Sequence, residues 1–243
     1  MIEVEGIVVK NTPFRDNDAM VTILSENRLV PFLARGVMKP TSKNASSVQI
    51  HTKGRYVLYN GKEGLFLKNA ELIQTYPHAK QTLTCLTSLG FLCEINIKLL
   101  VDEDTSRVYP FYCKALELLE KEFDPLTVNI IYLAQVLKAI GYGLNVDECQ
   151  LCHRRGPIAV VDYRAGGFIC PNCFDGQELP PNNSTKLKII RYIFKVDLER
   201  FGQAVLPKAE SIEVLKELFD FVKDHTTVDL KSFSLIEKIL KLD

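Results

Sequence analysis

Two hydrophobic rhythms divide this chain. Over the first 75 or so residues apolar positions alternate with polar ones, or gather in short Val/Ile/Leu/Tyr-rich runs. The runs are "IEVEGIVVK", "AMVTILS", "RLVPFLARGVM", "VQIHTKGRYVLYN" and "GLFLKNAELIQTY", set apart by turn chemistry such as "NTPFRDND" and "NGKEG". Five short strands in so little chain predict a small closed or partly closed barrel rather than an open sheet. From about Pro77 the period lengthens to 3.6. In "KQTLTCLTSLGFLCEINIKLL", Leu83, Leu86, Leu89/Gly90 and Cys93 fall on one helical face, continued by Ile97 and Leu100. "VYPFYCKALELLEKEF" and "LTVNIIYLAQVLKAIGY" give two more helices, the latter ended by Gly141 and Gly143. After a Pro/Asn-rich link, "ELPPNNST", with N-caps expected at Ser184 or Thr185, helical spacing returns in "TKLKIIRYIFKVDLERF", "ESIEVLKELFDFVKDHT" and "KSFSLIEKILKL".

The helical pattern is interrupted by "DECQLCHRRGPIAVVDYRAGGFICPNC". It holds two C-x-x-C pairs, Cys149/Cys152 and Cys170/Cys173, with 17 residues between them. Three chemistries compete. A redox dithiol needs one low-pKa thiolate and only one such pair. Disulfides belong to oxidising compartments. A tetrahedral metal cage uses both pairs, each tight turn aiming two sulfurs at one ion, and the spacing is that of a Zn²⁺ site. The cage accounts for most of the pattern. Four thiolates complete the shell, so the expected zinc is structural. His153 is a competing ligand by position, and a surface histidine by the blander reading. Cys85, Cys93 and Cys113 sit singly in apolar helical patterns and read as core thiols.

Composition adds little until charge is followed along the chain. With 243 residues, 47% hydrophobic and 25% charged, this is an ordinary folding sequence, and its formal net charge is zero. Yet Asn27 to Lys62 carries seven Lys/Arg and no Asp or Glu. Arg28, Arg35, Lys39, Lys43, Lys53 and Arg55 are the candidate contacts to a polyanion, with Lys62 at a turn. Lys53 and Arg55, at i and i+2, share one strand face. Phe32, Tyr56 and Tyr59 are either stacking surfaces or barrel core. Lys186, Lys188 and Arg191 form a smaller second basic set. Glu3, Glu5 and the lack of a long apolar run argue against a signal peptide, and no run suits a membrane helix. A cytoplasmic setting is expected. No G-x-S-x-G, P-loop, H-E-x-x-H or Rossmann pattern occurs, and His51, His78, His153 and His225 lie far apart in sequence. A binding protein is expected rather than an enzyme.

Taken in order, these segments resemble one family. "EGIVVK", "FRDNDAMVTILSE", "FLARGVMKPTSKNASSVQIHTKGRYVLY", "GFLCEINIKLL", "FYCKALELLE", "LKAIGYGLNVDECQLC" and "DYRAGGFICPNC" are similar to successive stretches of the bacterial DNA-repair mediators of the RecO family. The likeness runs through about residues 2–175 and thins afterwards. His153 stands where the family often has Gly, Leu144 where it often has Pro, and "SENRL" replaces its second-strand turn. The resemblance implies an α+β chain: a five-stranded OB-fold at residues 1–76 for DNA binding, and a helical domain at 77–146 and 177–243. A four-cysteine zinc finger at 147–176 interrupts that domain. It also implies binding to single- and double-stranded DNA without sequence preference, and annealing of complementary strands. Help in loading RecA onto strands covered by single-strand-binding protein follows, with RecR and that protein's C-terminal tail as partners in a nucleoid-associated setting. Two other readings stay open. One is a zinc-stapled interaction scaffold that does not touch DNA; the other is a thiol oxidoreductase.

Overall fold

The computed structural model describes residues 1–176 and 183–240, without the side chain of residue 240. Most of the Pro/Asn-rich link lies outside the described residues. The chain forms two compact units, Met1–Glu122 and Phe123–Asp243.

In the first unit five strands close into a barrel: β1 (Ile2–Phe14), β2 (Asp18–Ser25), β3 (Leu29–Ala34), β4 (Lys53–Gly61) and β5 (Gly64–Gln74), in the order β1-β2-β3-β5-β4. This is the expected OB-fold barrel. Strand alternation builds its core: Val8, Val21, Ile23, Val30, Phe32, Tyr56 and Leu58 point inward and are at most 3% exposed. A register shift in β1 between Val8 and Lys10 changes which residues face out. Before it Glu3 and Glu5 share the outer side with their β4 neighbours; after it Thr12 and Phe14 are outward, opposite Met20 and Asp18.

Two boundaries differ from the sequence reading. The "ARGVM" segment leaves the barrel at Ala34, because Gly36 takes φ +62° and donates its N–H to Asp18 Oδ1 at 2.7 Å. β4 starts at Lys53, not Val48. Residues 35–52 are a long loop that dips Val37 and Val48 into the barrel core. It is stitched down by Met38 N–H to Asn17 O (2.9 Å), Ala70 N–H to Asn44 Oδ1 (3.1 Å) and His51 N–H to Val8 O (2.8 Å).

Helices α1 (Leu83–Leu99) and α2 (Tyr109–Glu120) complete this unit. Thr82 caps α1 by accepting from Cys85 N–H. The stripe expected on α1 is corrected: Leu89, Cys93 and Leu100 are buried, but Leu83 and Leu86 are 61% and 45% exposed. The helix is apolar nearly all round, so spacing alone cannot select its buried side. At that side His51 Nε2 lies 3.1 Å from both Leu89 O and Cys93 Sγ. Burial, joined by Lys80 and opposed by the Leu89 carbonyl, lowers the His51 pKa to about 4. Burial likewise pushes Cys93 up to about 12, as befits a core thiol.

The second unit is built on α3 (Pro125–Ala139), buried on every side from Leu126 to Leu137. Asp124 caps it, accepting from Thr127 N–H at 2.7 Å. It packs with α4 (Asn183–Lys195) and α5 (Lys208–Thr226), and α6 (Ser232–Leu240) follows. Between α3 and α4 stands the hairpin β6 (Val160–Asp162) and β7 (Gly167–Ile169). Among the described residues no helix is long and apolar enough to cross a membrane.

Candidate nucleic-acid face and metal centre

The barrel's register divides the basic residues. On β4 both point outward between acidic neighbours. Lys53 Nζ is 2.9 Å from Glu5; Arg55 is 3.3 Å from Glu3 and 3.1 Å from Glu71. Burial pulls the Lys53 ammonium down in pKa, but Glu5, Cys113 and Glu117 together outweigh it and the net shift is upward. Arg28 lies in the β2–β3 turn, about 17 Å of strand away from Arg35. There Thr105 Oγ1 donates to Ser25 O, bringing up the loop that carries Asp102, Glu103 and Asp104.

Arg35, Lys39 and Lys43 share the loop leaving β3. All three are exposed, and no carboxylate lies within ion-pair distance of any of them among the described residues. The Arg35 guanidinium sits 4.5 Å over the Phe66 ring, which stacks on Tyr59 at 5.5 Å and 22°. Strands β3 and β5 run parallel at Leu33↔Phe66, so the β4–β5 turn with Lys62, which precedes Phe66, lies toward the start of β3. The β1–β2 turn with Arg15 lies at the end of β3 beside the Arg35 loop, tied by Asp18 and Asn17. Asp16 and Glu63 sit at the tips of these turns. The face of β2 and β3 flanked by those two loops is where OB-folds take oligonucleotides.

The aromatics sort cleanly. Phe32 and Tyr56 are core, 5.6 Å apart, and offer no stacking surface; Tyr59 is half-buried on the outer side of β4. Phe14, Arg15, Met20 and Phe66 were not singled out from sequence. An aromatic beside an arginine in the turn "TPFRDND" was the available signal. The second basic set is also corrected. Lys186 is buried against Glu217 and lies 3.5 Å from Glu213. Arg191, though exposed, donates to Val146 O at 3.0 Å and lies 5.2 Å over Phe168, whereas Lys188 is exposed and in no ion pair among the described residues.

In the second unit the four cysteine sulfurs lie within 4.8 Å of one another. A zinc–sulfur bond of about 2.3 Å makes the edge of a tetrahedron about 3.8 Å, and Cys152 Sγ and Cys170 Sγ are 3.7 Å apart. Cys149, Cys152, Cys170 and Cys173 therefore fit a zinc ion. The backbone N–H of Cys170, opposed by burial, leads in lowering Cys149 to about 6. Hydrogen bonds that the Cys173 thiol donates to Cys152 and Cys170 lead in pushing it up to about 12, and a dication would displace the protons these crowded sulfurs hold. His153 is exposed and faces Glu148 at 3.2 Å, outside this set.

Little apolar mass supports the site: Cys149, Ile169 and Cys170 are its buried members. Its frame is backbone. Asn145 O accepts from Phe168 N–H at 2.9 Å, and a Cβ on Gly167 would come within 2.5 Å of that oxygen. Anchors to the helices are polar. Lys195 holds both Asp147 oxygens at 2.9 Å and lowers that carboxyl's pKa, while Tyr163 donates to Glu217 at 2.9 Å.

Comparison with known proteins bears on both sites. The family model "Recombination protein O N terminal" matches residues 1–76, and "Recombination protein O C terminal" matches residues 80–233. The chain is 26% identical over 242 residues to the DNA repair protein RecO of Bacillus cereus (strain AH187), covering 98% of both chains. Proteins of the same description from Bacillus anthracis (strain CDC 684 / NRRL 3495) and Bacillus thuringiensis subsp. konkukian (strain 97-27) match to the same extent.

Proposed function

The chain belongs to the recombination protein O family, which gives it a role in DNA repair and recombination, and from that premise we propose that it acts as a non-enzymatic mediator on DNA strands. It binds single- and double-stranded DNA without sequence preference, anneals complementary strands, and with RecR helps load RecA onto DNA coated by single-strand-binding protein. One observation carries the DNA-binding part of the reading: Arg35, Lys39 and Lys43 are exposed on one loop of an OB barrel and in no ion pair among the described residues.

The chemistry suits annealing. Guanidinium and ammonium groups on a surface loop grip phosphates, which are identical at every nucleotide. Held by its backbone, a strand keeps its Watson–Crick edges free to meet a complement. Lys53 and Arg55, expected as contacts, spend their charge on Glu3, Glu5 and Glu71. Cys149, Cys152, Cys170 and Cys173 hold zinc, which when bound ties both cysteine turns to one point. A closed sulfur shell leaves no open position for a water or substrate. RecR and the C-terminal tail of single-strand-binding protein are the partners that family membership supports, in a cytoplasmic, nucleoid-associated setting.

The test is annealing of complementary oligonucleotides coated with single-strand-binding protein, with and without that protein's C-terminal tail. Acceleration that depends on the tail supports the reading. A protein that shifts no oligonucleotide at moderate salt and accelerates no annealing is a scaffold instead.

A further inference from the structure

The outer side of β1–β3 carries apolar side chains that the phosphate grip does not use. Phe14 is 40% exposed, Met20 39% and Met38 50%. They are neighbours by construction of the sheet. Phe14 pairs with Asp18, and Met20 pairs with Thr12, two residues from Phe14 on the same outward side. Met38 N–H bonds to Asn17 O at 2.9 Å, which sets it beside the same hairpin.

Cations lie beside this patch, together with Asp16 in the hairpin turn and Asp18, whose carboxylate accepts from Gly36 N–H. Arg15 lies 5.1 Å over the Phe14 ring, and Lys39 follows Met38 in the chain. On the next strands Arg35 rests on the Phe66–Tyr59 stack. Phe66 itself is 5% exposed, so that stack is a ledge fixing Arg35 rather than an open platform. Exposed apolar groups beside cations complement a ligand that is apolar within and anionic along its edge. An unpaired nucleotide strand has that character. A duplex presents phosphates but keeps its base faces stacked away from such a surface.

We infer that Phe14, Met20 and Met38 form a base-contact patch that makes this face prefer unpaired strands over duplex. The proposal rests on the reading that the Arg35/Lys39 rim holds DNA. The division of labour is between charge, which grips any DNA, and the apolar patch, which responds to strand state. Thioether and phenyl groups make no base-specific hydrogen bonds, so the preference for unpaired strands carries no sequence preference.

The experiment measures affinity at one fixed salt concentration for oligodeoxythymidine, for an abasic strand of equal length and for a duplex. Wild type is compared with Phe14→Ser/Met20→Ser and with Arg35→Glu/Lys39→Glu. The apolar double variant is expected to lose about five- to tenfold on oligodeoxythymidine and less than about twofold on duplex. The abasic strand is expected to bind wild type about as weakly as oligodeoxythymidine binds that variant. The abasic comparison uses unaltered protein, so a folding defect in the variant cannot mask the answer. Equal losses on strand and duplex, or no loss, or undiminished abasic binding, overturn the inference. If charge reversal leaves every affinity unchanged, it is the rim itself that fails.

Discussion

Two sectors of one barrel carry basic residues, and the register assigns them opposite fates. On β4, Lys53 and Arg55 project between β1 and β5, whose outward neighbours are Glu5, Glu3 and Glu71; each cation meets a carboxylate within 3.3 Å. On the loop after β3, Arg35, Lys39 and Lys43 project where no strand pairs with them, and their charge stays available. Exposed ion pairs of the first kind add little stability. Their larger effect is to quiet one side of the barrel. Under the proposed reading, a polyanion would then meet a molecule of zero net charge with one preferred side.

That contrast can be broken or sharpened in four ways. The largest expected effect comes through the anchor of the basic loop. His51 is neutral in the fold down to about pH 4, while an unfolded imidazole takes up its proton near 6.5. Its contribution is thus complete above pH 6.5 and lost as pH falls through about 4, about 3 kcal/mol in all. Urea midpoints followed by tyrosine emission should fall between pH 7 and pH 4, and His51→Asn should flatten that fall. An equal fall in the variant would assign it to other groups. Next in size, Arg35→Glu/Lys39→Glu should weaken oligonucleotide binding about tenfold or more and reduce the log–log salt slope by about 1.4 on single strands. Anisotropy titrations across a salt series read both numbers.

Unmasking the quiet sector should do the reverse on a smaller scale. Glu3→Gln/Glu5→Gln/Glu71→Gln frees Lys53 and Arg55, and affinity should rise about threefold with a steeper salt slope. No change would mean that strands never approach this side. Smallest of all, chelating the metal, or Cys152→Ser, should leave oligonucleotide affinity within about twofold. Hydrogen exchange should then accelerate across residues 145–173, because so little core supports that segment. Acceleration in the barrel strands as well would deny that the metal's effect is local.

Much of this was legible beforehand, for identifiable reasons. Alternation and turn residues announced five strands, and two C-x-x-C pairs announced the sulfur cluster, because both signals are local in sequence. The single block of positive charge from Arg28 to Arg55 was a poorer guide. Its partners Glu3, Glu5 and Glu71 lie outside the block and arrive only through strand pairing. Arg28 is set apart because β3 carries the chain across the barrel between it and Arg35. Phe14 and Met20 escaped notice because exposed apolar residues and core ones look alike until register is known. Val37 and Val48 read as strand residues, yet they plug the barrel from a loop, since a barrel end needs filling as much as its wall.

The displaced register near Val9 has a further implication. It lets a single ribbon of chain serve two clients, its first half supplying carboxylates to the quiet flank and its second half supplying Phe14 to the receptive one. Were the same residues to alternate regularly through that point, the second half would be out of phase: Thr12 and Phe14 would turn toward the interior and Asn11 would be cast outside, away from the Val48 carbonyl it bonds at 2.8 Å. The asymmetry between the flanks is thus written in a single uncounted position, one that carries neither charge nor ring.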